Sequence, residues 1–294
     1  MPYDDRIPPT RHGRPLLTAA ALASLSLTVS GCGGGGGSGL APQTQPHAGS
    51  SAVKPAPSAP AATTPKPSPK GPLTGRTVVI DPGHNPRNRD HTREINRQVD
   101  IGTGHKECDT TGTATNAGYA EARFTLDVSH RLRTLLESQG AKVVLTHDND
   151  RPFGPCVDER ARIGNKAGAD AVVSVHADGS AAGNRGFHVI LPGRVRGGAA
   201  DTAKIVEPSR ELGTRIAGLF LRATGSSPSN YIGDSTGLDT RTDLGGLNLS
   251  TVPKVFIECG NMRDPKDAAL LTSAEWRQKA ARGIADGISS YLKR

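Results

Sequence analysis

The sequence lacks a comfortable membrane span. Its N-terminal apolar stretch, Leu16 to Val29, falls short of the roughly 20 residues that a helical crossing needs. It also lacks a basic run interleaved with aromatic residues, so its net charge of +8 does not argue for nucleic acid. No short ligand motif such as His-Glu-x-x-His is present, so a metal site would have to be assembled from distant residues. From Gly33 to about Pro72 large apolar side chains are almost missing. That tract cannot bury enough surface to offset its ordering entropy, which excludes a packed domain there and predicts disorder.

What is present begins with an export signal. Arg6, Arg11 and Arg14 precede the apolar stretch, and Val29-Ser30-Gly31-Cys32 follows it, the order of a secretory signal over residues 1–32. The setting of Cys32 looks like a bacterial lipobox, with Val29 where Leu is commoner. An ordinary signal peptide with a chance cysteine is the alternative, but Cys32 falls where the apolar run stops, which favours lipidation. Residues 33–72 then serve as a tether, reaching on the order of 35 Å as a coil. Half of the positive excess lies in this N-terminal part. The remainder is modest, and fits either an anionic envelope polymer or an ordinary solvated surface.

Leu73 to Arg294 has the length of one domain. Arg76–Ile80, Ala141–Leu145, Ala171–His176, Phe187–Leu191 and Val252–Cys259 read as strands, with Pro253 near the start of the last. Asn116–Ser138, Asp158–Ala167, Ser209–Ala223, a helix opened by Asp264-Pro265, and Ala274–Lys293 read as helices. Gly140 stands where a left-handed cap belongs. This alternation predicts an α/β fold, a mainly parallel twisted sheet with helices on both faces. Ligands of such sheets collect beyond the carboxyl ends of the strands.

Three of those ends carry a polar side chain: His84 closes Val78–His84, His176 closes Val172–His176 and Glu258 closes Val255–Glu258. Glu121 lies near the start of the long first helix. Imidazole and carboxylate are zinc ligands, and a carboxylic acid left outside the ligand set can move protons. Taken singly, each residue also has a structural reading, such as a hydrogen-bonded histidine or a glutamate complementing a helix dipole. Cys108 and Cys156 lie in loop-like stretches, and export allows a disulfide between them, with free thiols as the alternative. Cys259, inside an apolar strand, reads as a small buried hydrophobe.

Val78–His84, the stretch around Glu121, Ala169–Asp178, Arg241–Asn248 and Val255–Leu271 together resemble the zinc-dependent N-acetylmuramoyl-L-alanine amidases of bacterial cell walls (amidase_3 type). The likeness is greatest to the exported actinobacterial, mycobacterial-type members, and it spans residues 76 to 292. The resemblance implies that His84, Glu121 and His176 hold Zn2+ and that Glu258 is the catalytic acid/base. It implies hydrolysis of the amide joining N-acetylmuramic acid to L-alanine of the stem peptide, on peptidoglycan or muropeptides. A monomer at the cell envelope is expected, and the lipobox-like setting of Cys32 would anchor it by lipid on the outer face of the cytoplasmic membrane. Arg241 would contact substrate, or else pair with Asp243 to hold its loop.

The chain departs from the family pattern in places. The stretch between His84 and Glu121 is longer than in compact members, and a Cys108–Cys156 bond would pin it beside the site mouth. Thr146-His147 stands in place of the usual Thr-Arg, and His147 is expected on the surface. His91 and His105 in the insert are not expected to be ligands, and His188 reads as structural. Pro192 to Pro208 lacks the apolar face that an inhibitory plug helix would need. The rival readings are a zinc peptidase cutting within the stem peptide and a wall-binding module without catalysis.

Overall fold

A computed structural model describes residues 70–293. The expected signal segment, Cys32 and all but the last three residues of the expected tether lie outside the described residues. Six strands form the main sheet: β1 (Thr77–Pro82), β2 (Lys142–Leu145), β3 (Ala171–Asp178), β4 (His188–Pro192), β5 (Leu238–Arg241) and β6 (Lys254–Asn261). Five longer helices accompany them: α1 (Glu121–Ser138), α2 (Val157–Lys166), α3 (Val206–Thr224), α4 (Pro265–Thr272) and α5 (Ala274–Leu292). The strand order is β2-β1-β3-β6-β4-β5. The first four strands are mutually parallel, while β4 runs antiparallel to β6 and β5 follows β4. The fold is the expected α/β one.

The period-two alternation of the strands separates two faces. Val78, Ile80, Val173, Val175, Val255 and Ile257 enter one large apolar core. Against them pack Phe124 and Leu132 of α1, Leu212 and Ile216 of α3, and Trp276 and Ile284 of α5. The opposite face is thinly apolar, with Val79 and Val172 against Ile163 of α2. On that second face Asp81, Ser174 and Lys254 are buried, and His176 and Glu258 continue the alternation toward the strand ends.

Several elements differ from expectation. The first long helix starts at Glu121, not Asn116, because Thr115 and Gly118 build a turn closed by a Gly118 N–H to Thr115 carbonyl bond. Gly118 is in the left-handed region, which a helix interior does not tolerate. α3 begins at Val206, three residues early, with Pro208 accommodated in its first turn. Leu238–Arg241 adds an edge strand that its sparse apolar content did not announce. Pro253 precedes β6, where its missing N–H is harmless.

The buried charges around Asp81 are paired with one another. Asp81 accepts from Thr146 Oγ1 and Arg160 Nη1 at 2.6 and 2.8 Å, and from Ser174 Oγ and Lys254 Nζ at 2.8 and 3.1 Å. Burial alone would raise its proton affinity. The Lys254 and Arg160 cations more than offset that and hold the carboxyl far below the usual carboxylate range. Asp81→Asn therefore leaves two buried cations short of a counter-charge, and is expected to cost about 3–5 kcal/mol of unfolding free energy at neutral pH. Because the folded-state affinity for the proton is depressed, the wild-type advantage is present above about pH 4 and shrinks as pH falls below it. Urea unfolding of both proteins across that range checks the size and the sign.

Candidate metal centre

His84 follows the end of β1 with a left-handed backbone, φ 60°, a conformation that costs a non-glycine residue about 1 kcal/mol or more. The Arg160 guanidinium holds this turn, donating to the carbonyls of Pro82 at 2.6 Å and His84 at 3.1 Å. Nδ1 of His84 lies 3.1 Å from the Thr110 carbonyl and 3.6 Å from Asp109 Oδ1. A proton on Nδ1 satisfies that carbonyl and leaves Nε2 free to ligate, 3.1 Å from Glu121 Oε2.

Glu121 is the first residue of α1, where an anion is favoured by the helix dipole. Its Oε1 accepts from Ala177 N, its Oε2 from Thr113 N, and its Oε1 also lies 3.0 Å from His176 Nδ1. Burial would raise this carboxyl, but the neighbouring imidazoles, His84 foremost, hold it well below the usual range. His176 stacks nearly parallel on Phe256 at 5.3 Å and meets the His84 ring edge-on at 5.0 Å. A methyl group at Gly83 would come within 2.4 Å of the His176 ring, so the glycine of Asp81–His84 is a packing requirement. One ligating atom from each of His84, Glu121 and His176 falls within 4.8 Å of the others.

Glu258 stands beside this group, opposite His176 on β3 in one direction and His188 on β4 in the other. Its Oε2 is sealed from solvent and has no hydrogen-bond partner among the described residues. Burial pushes the carboxyl well above the usual carboxylate range, and the negative charges of Glu121 and Asp178 add to the effect. Arg241, at the end of β5, pairs with both oxygens of Asp243 at 2.7 Å, and Lys106 joins that carboxylate at 3.0 Å. Arg241 still lines a cavity of about 350 Å³ with His84, Glu121, His176 and Glu258. A second cavity of about 250 Å³ also touches both histidines and is walled by Lys106, Leu244 and Phe256. A larger cavity of about 400 Å³, beside Arg185 and Trp276, shares none of these residues; ligand chemistry, not volume, marks the site.

The segment between His84 and Glu121 supports the site from outside. Cys108 and Cys156 are joined by a disulfide, and Val157 N bonds the Cys108 carbonyl. This seats Asp109 where Arg160 Nη2 reaches it at 2.9 Å, so one guanidinium links β1, the insert and α2. His147 is not on the surface as expected: it is buried, its Nε2 3.0 Å from the Pro82 carbonyl. The parallel pairing of β2 with β1 carries the residue after Thr146 inward beside the end of β1. His91 lies near Phe153 and Glu94, and His105 sits exposed on a short hairpin; neither belongs to the group. Cys259 is buried in the apolar core, as expected. Residues 192–208 supply a small hairpin and the start of α3.

Arg160, Asp109, Thr113 and Lys254 escaped the sequence reading. Arg160 carried a usable signal: it occupies the same helical stripe as Ala161 and Gly164, an arginine on an inward face.

Two histidines and a glutamate gathered at the carboxyl edge of a parallel sheet, with a second carboxylic acid alongside, define the site of a metal-dependent hydrolase on an α/β fold. The family model described as N-acetylmuramoyl-L-alanine amidase (Amidase_3) matches residues 78–290, and the chain belongs to that family of enzymes. It is 43% identical over 223 residues to N-acetylmuramoyl-L-alanine amidase Rv3717 of Mycobacterium tuberculosis, covering 75% of this chain and 88% of that protein. It is likewise similar to the crystal structure of the amidase Ami1 from Mycobacterium smegmatis, with a TM-score of 0.68 and 41% identity over 75% of this chain and 98% of that one. Apo Ami1 from Mycobacterium abscessus gives a TM-score of 0.69 at 41% identity, over 75% of this chain and 100% of that one.

The Cys108–Cys156 bond closes a loop with a sequence separation of 48. Replacing both cysteines by serine is expected to cost about 2–4 kcal/mol through the freed unfolded chain. Calorimetry of the double variant against the oxidised wild type measures it.

Proposed function

We propose that the chain is an exported, zinc-dependent amidase that hydrolyses the bond between the lactyl carbonyl of N-acetylmuramic acid and L-alanine of the peptidoglycan stem peptide. The observation that carries this reading is the His84–Glu121–His176 donor set beside a Glu258 carboxyl whose buried oxygen has no partner. Two imidazoles and one carboxylate suit zinc, and three protein ligands leave a position open for exchange. When bound, zinc supplies Lewis acidity to the scissile carbonyl and to the attacking water.

The remaining steps belong to the protein. Glu258 takes a proton from the attacking water and returns it to the departing alanine nitrogen. Its buried setting supports that double role, since burial raises the carboxyl's proton affinity and so favours its holding the proton between the two transfers. Thr113, Ala177 and the Thr110 carbonyl keep the ligand side chains oriented, so little reorganisation accompanies loading. Arg241, with its charge already balanced by Asp243, is assigned to the substrate's polar groups at the cavity rim. Two cavities that share the histidines suit a substrate that extends beyond the scissile bond.

In this reading residues 1–32 direct export, with Cys32 lipidated, 33–72 form a tether and 73–294 form the catalytic domain. The protein then works as a monomer on peptidoglycan or muropeptides from the outer face of the cytoplasmic membrane. Among the described residues no helix is long and apolar enough to cross a membrane, so the anchor assigned to Cys32 is what would hold the domain there. Cys32→Ala is expected to move the protein from the membrane fraction to the soluble fraction.

The catalytic reading is tested on purified peptidoglycan by metal analysis and mass spectrometry of products. Intact stem peptides with a free L-alanine amine are expected; cuts within the stem peptide would overturn the assignment in favour of a peptidase. Glu258→Gln is expected to retain zinc and lose about 10²–10⁴ in kcat, whereas His84→Ala and His176→Ala lose stoichiometric zinc.

A further inference from the structure

We infer that the groove beside Arg89 is the subsite for the peptide half of the substrate, where Arg89, with Arg263, recognises a peptide carboxylate. The inference rests on the amidase reading and adds to it a direction and a charge preference. A cavity of about 310 Å³ adjoins the one at the metal centre, the two having Gly112 and Thr113 in common. Gly112 keeps the partition between them thin. Its backbone is left-handed, φ 71°, and a methyl group there would come within 2.7 Å of the His84 ring and 2.8 Å of Glu121 Oε2. No side chain at position 112 therefore stands between the two hollows.

Charge sets this groove apart. Pro86, Arg89, the run Thr111–Ala114 and Ala120 wall it, and no carboxylate among the described residues does. Arg89 is exposed, and its side chain has neither an ion pair nor a hydrogen bond among the described residues. Arg263, also exposed, lies in the turn between β6 and α4 and donates to the Ala114 carbonyl of the groove wall at 3.4 Å. It too has no ion pair among the described residues. The two cavities that touch the ligating histidines differ. One carries Glu107 and Asp109, and its Lys106 and Arg160 are already paired with acids. The other carries Asp178 beside Glu121 and Glu258, and its Arg241 is held by Asp243. An anionic group meets carboxylates in either of these, and two uncommitted guanidiniums at the third.

The substrate is charged at one end only. The lactyl carboxyl of N-acetylmuramic acid is consumed in the scissile amide, which leaves hydroxyl and acetamido groups on the sugar side. The peptide side ends in a carboxylate, ionised at neutral pH. A planar guanidinium fork matches that group with two parallel hydrogen bonds. The peptide thus belongs to the Arg89 groove. The uncharged sugar is left to the cavities lined by carboxylates, whose acceptor oxygens suit hydroxyl donors.

The test uses two N-acetylmuramoyl-L-alanyl peptides of one sequence, with the peptide carboxylates free in one and converted to carboxamides in the other. In zinc-loaded wild type, kcat/KM is expected to favour the free acid about fivefold or more, and the preference to shrink as salt is raised. The ratio is expected to fall part of the way in Arg89→Gln and to about one in the Arg89→Gln, Arg263→Gln double variant. Arg89→Lys is expected to restore part of it, since the charge returns without the fork. Because the ratio is taken within each variant, a general loss of folded or zinc-loaded enzyme cancels. A ratio near one in wild type, or one unchanged in the double variant, overturns the subsite and leaves the amidase reading standing. Cuts within the peptide of both compounds, with no free L-alanine amine released, overturn the amidase reading itself.

Discussion

One buried guanidinium organises the catalytic end of this domain. Arg160 donates to the carbonyls of Pro82 and His84, to Asp81 and to Asp109, and its Nε reaches the Pro155 carbonyl. A backbone forced into the left-handed region at His84 has carbonyls that no strand or helix can satisfy, and a planar fork with several fixed donors can. Burying a cation is tolerable because two carboxylates face it, both held ionised by it. The position of the His84 ring, the seating of the insert and the start of α2 all follow from that one side chain.

The sheet itself divides labour between its faces. Alternation sends valines, isoleucines and leucines to α1, α3 and α5 on one side, which supplies most of the apolar burial. The other side carries Lys254, Asp81, Ser174, His176, Glu258 and His188 in register around Phe256, polar residues that would be unaffordable on the apolar face. A cluster of perturbed acids and imidazoles therefore arises where the second face runs out of strand, near solvent but not in it.

Much of this was legible before any coordinates. Val78–Ile80 and Val255–Ile257 are continuous apolar runs and Val172–Val175 is broken only by Ser174, and a polar residue ending such a run must sit at the sheet's edge. The strand direction of β4 was not legible, since alternation reads the same in both directions, and β5 has too little apolar content to stand out. His147 lies in the polar stretch Thr146–Asp150, which locally looks solvated; only pairing of β2 with β1 buries it. Apart from the Pro155 carbonyl five residues away, the partners of Arg160 lie 51 to 79 residues away along the chain, beyond any local pattern. Apart from β5, what the sequence hid was chiefly pairing between elements.

The wide spacing of the site along the chain has a kinetic side. Position 121 must find position 176 across 55 residues, and Glu258 sits on a strand that joins the sheet near the end of the polypeptide. No helix, hairpin or shorter fragment holds more than a part of the constellation, so it has no local precursor that could form early and act alone. Hydrolytic competence is thereby tied to completion of the fold. A chain clipped before β6 carries every chemical group but Glu258 and no means of assembling them.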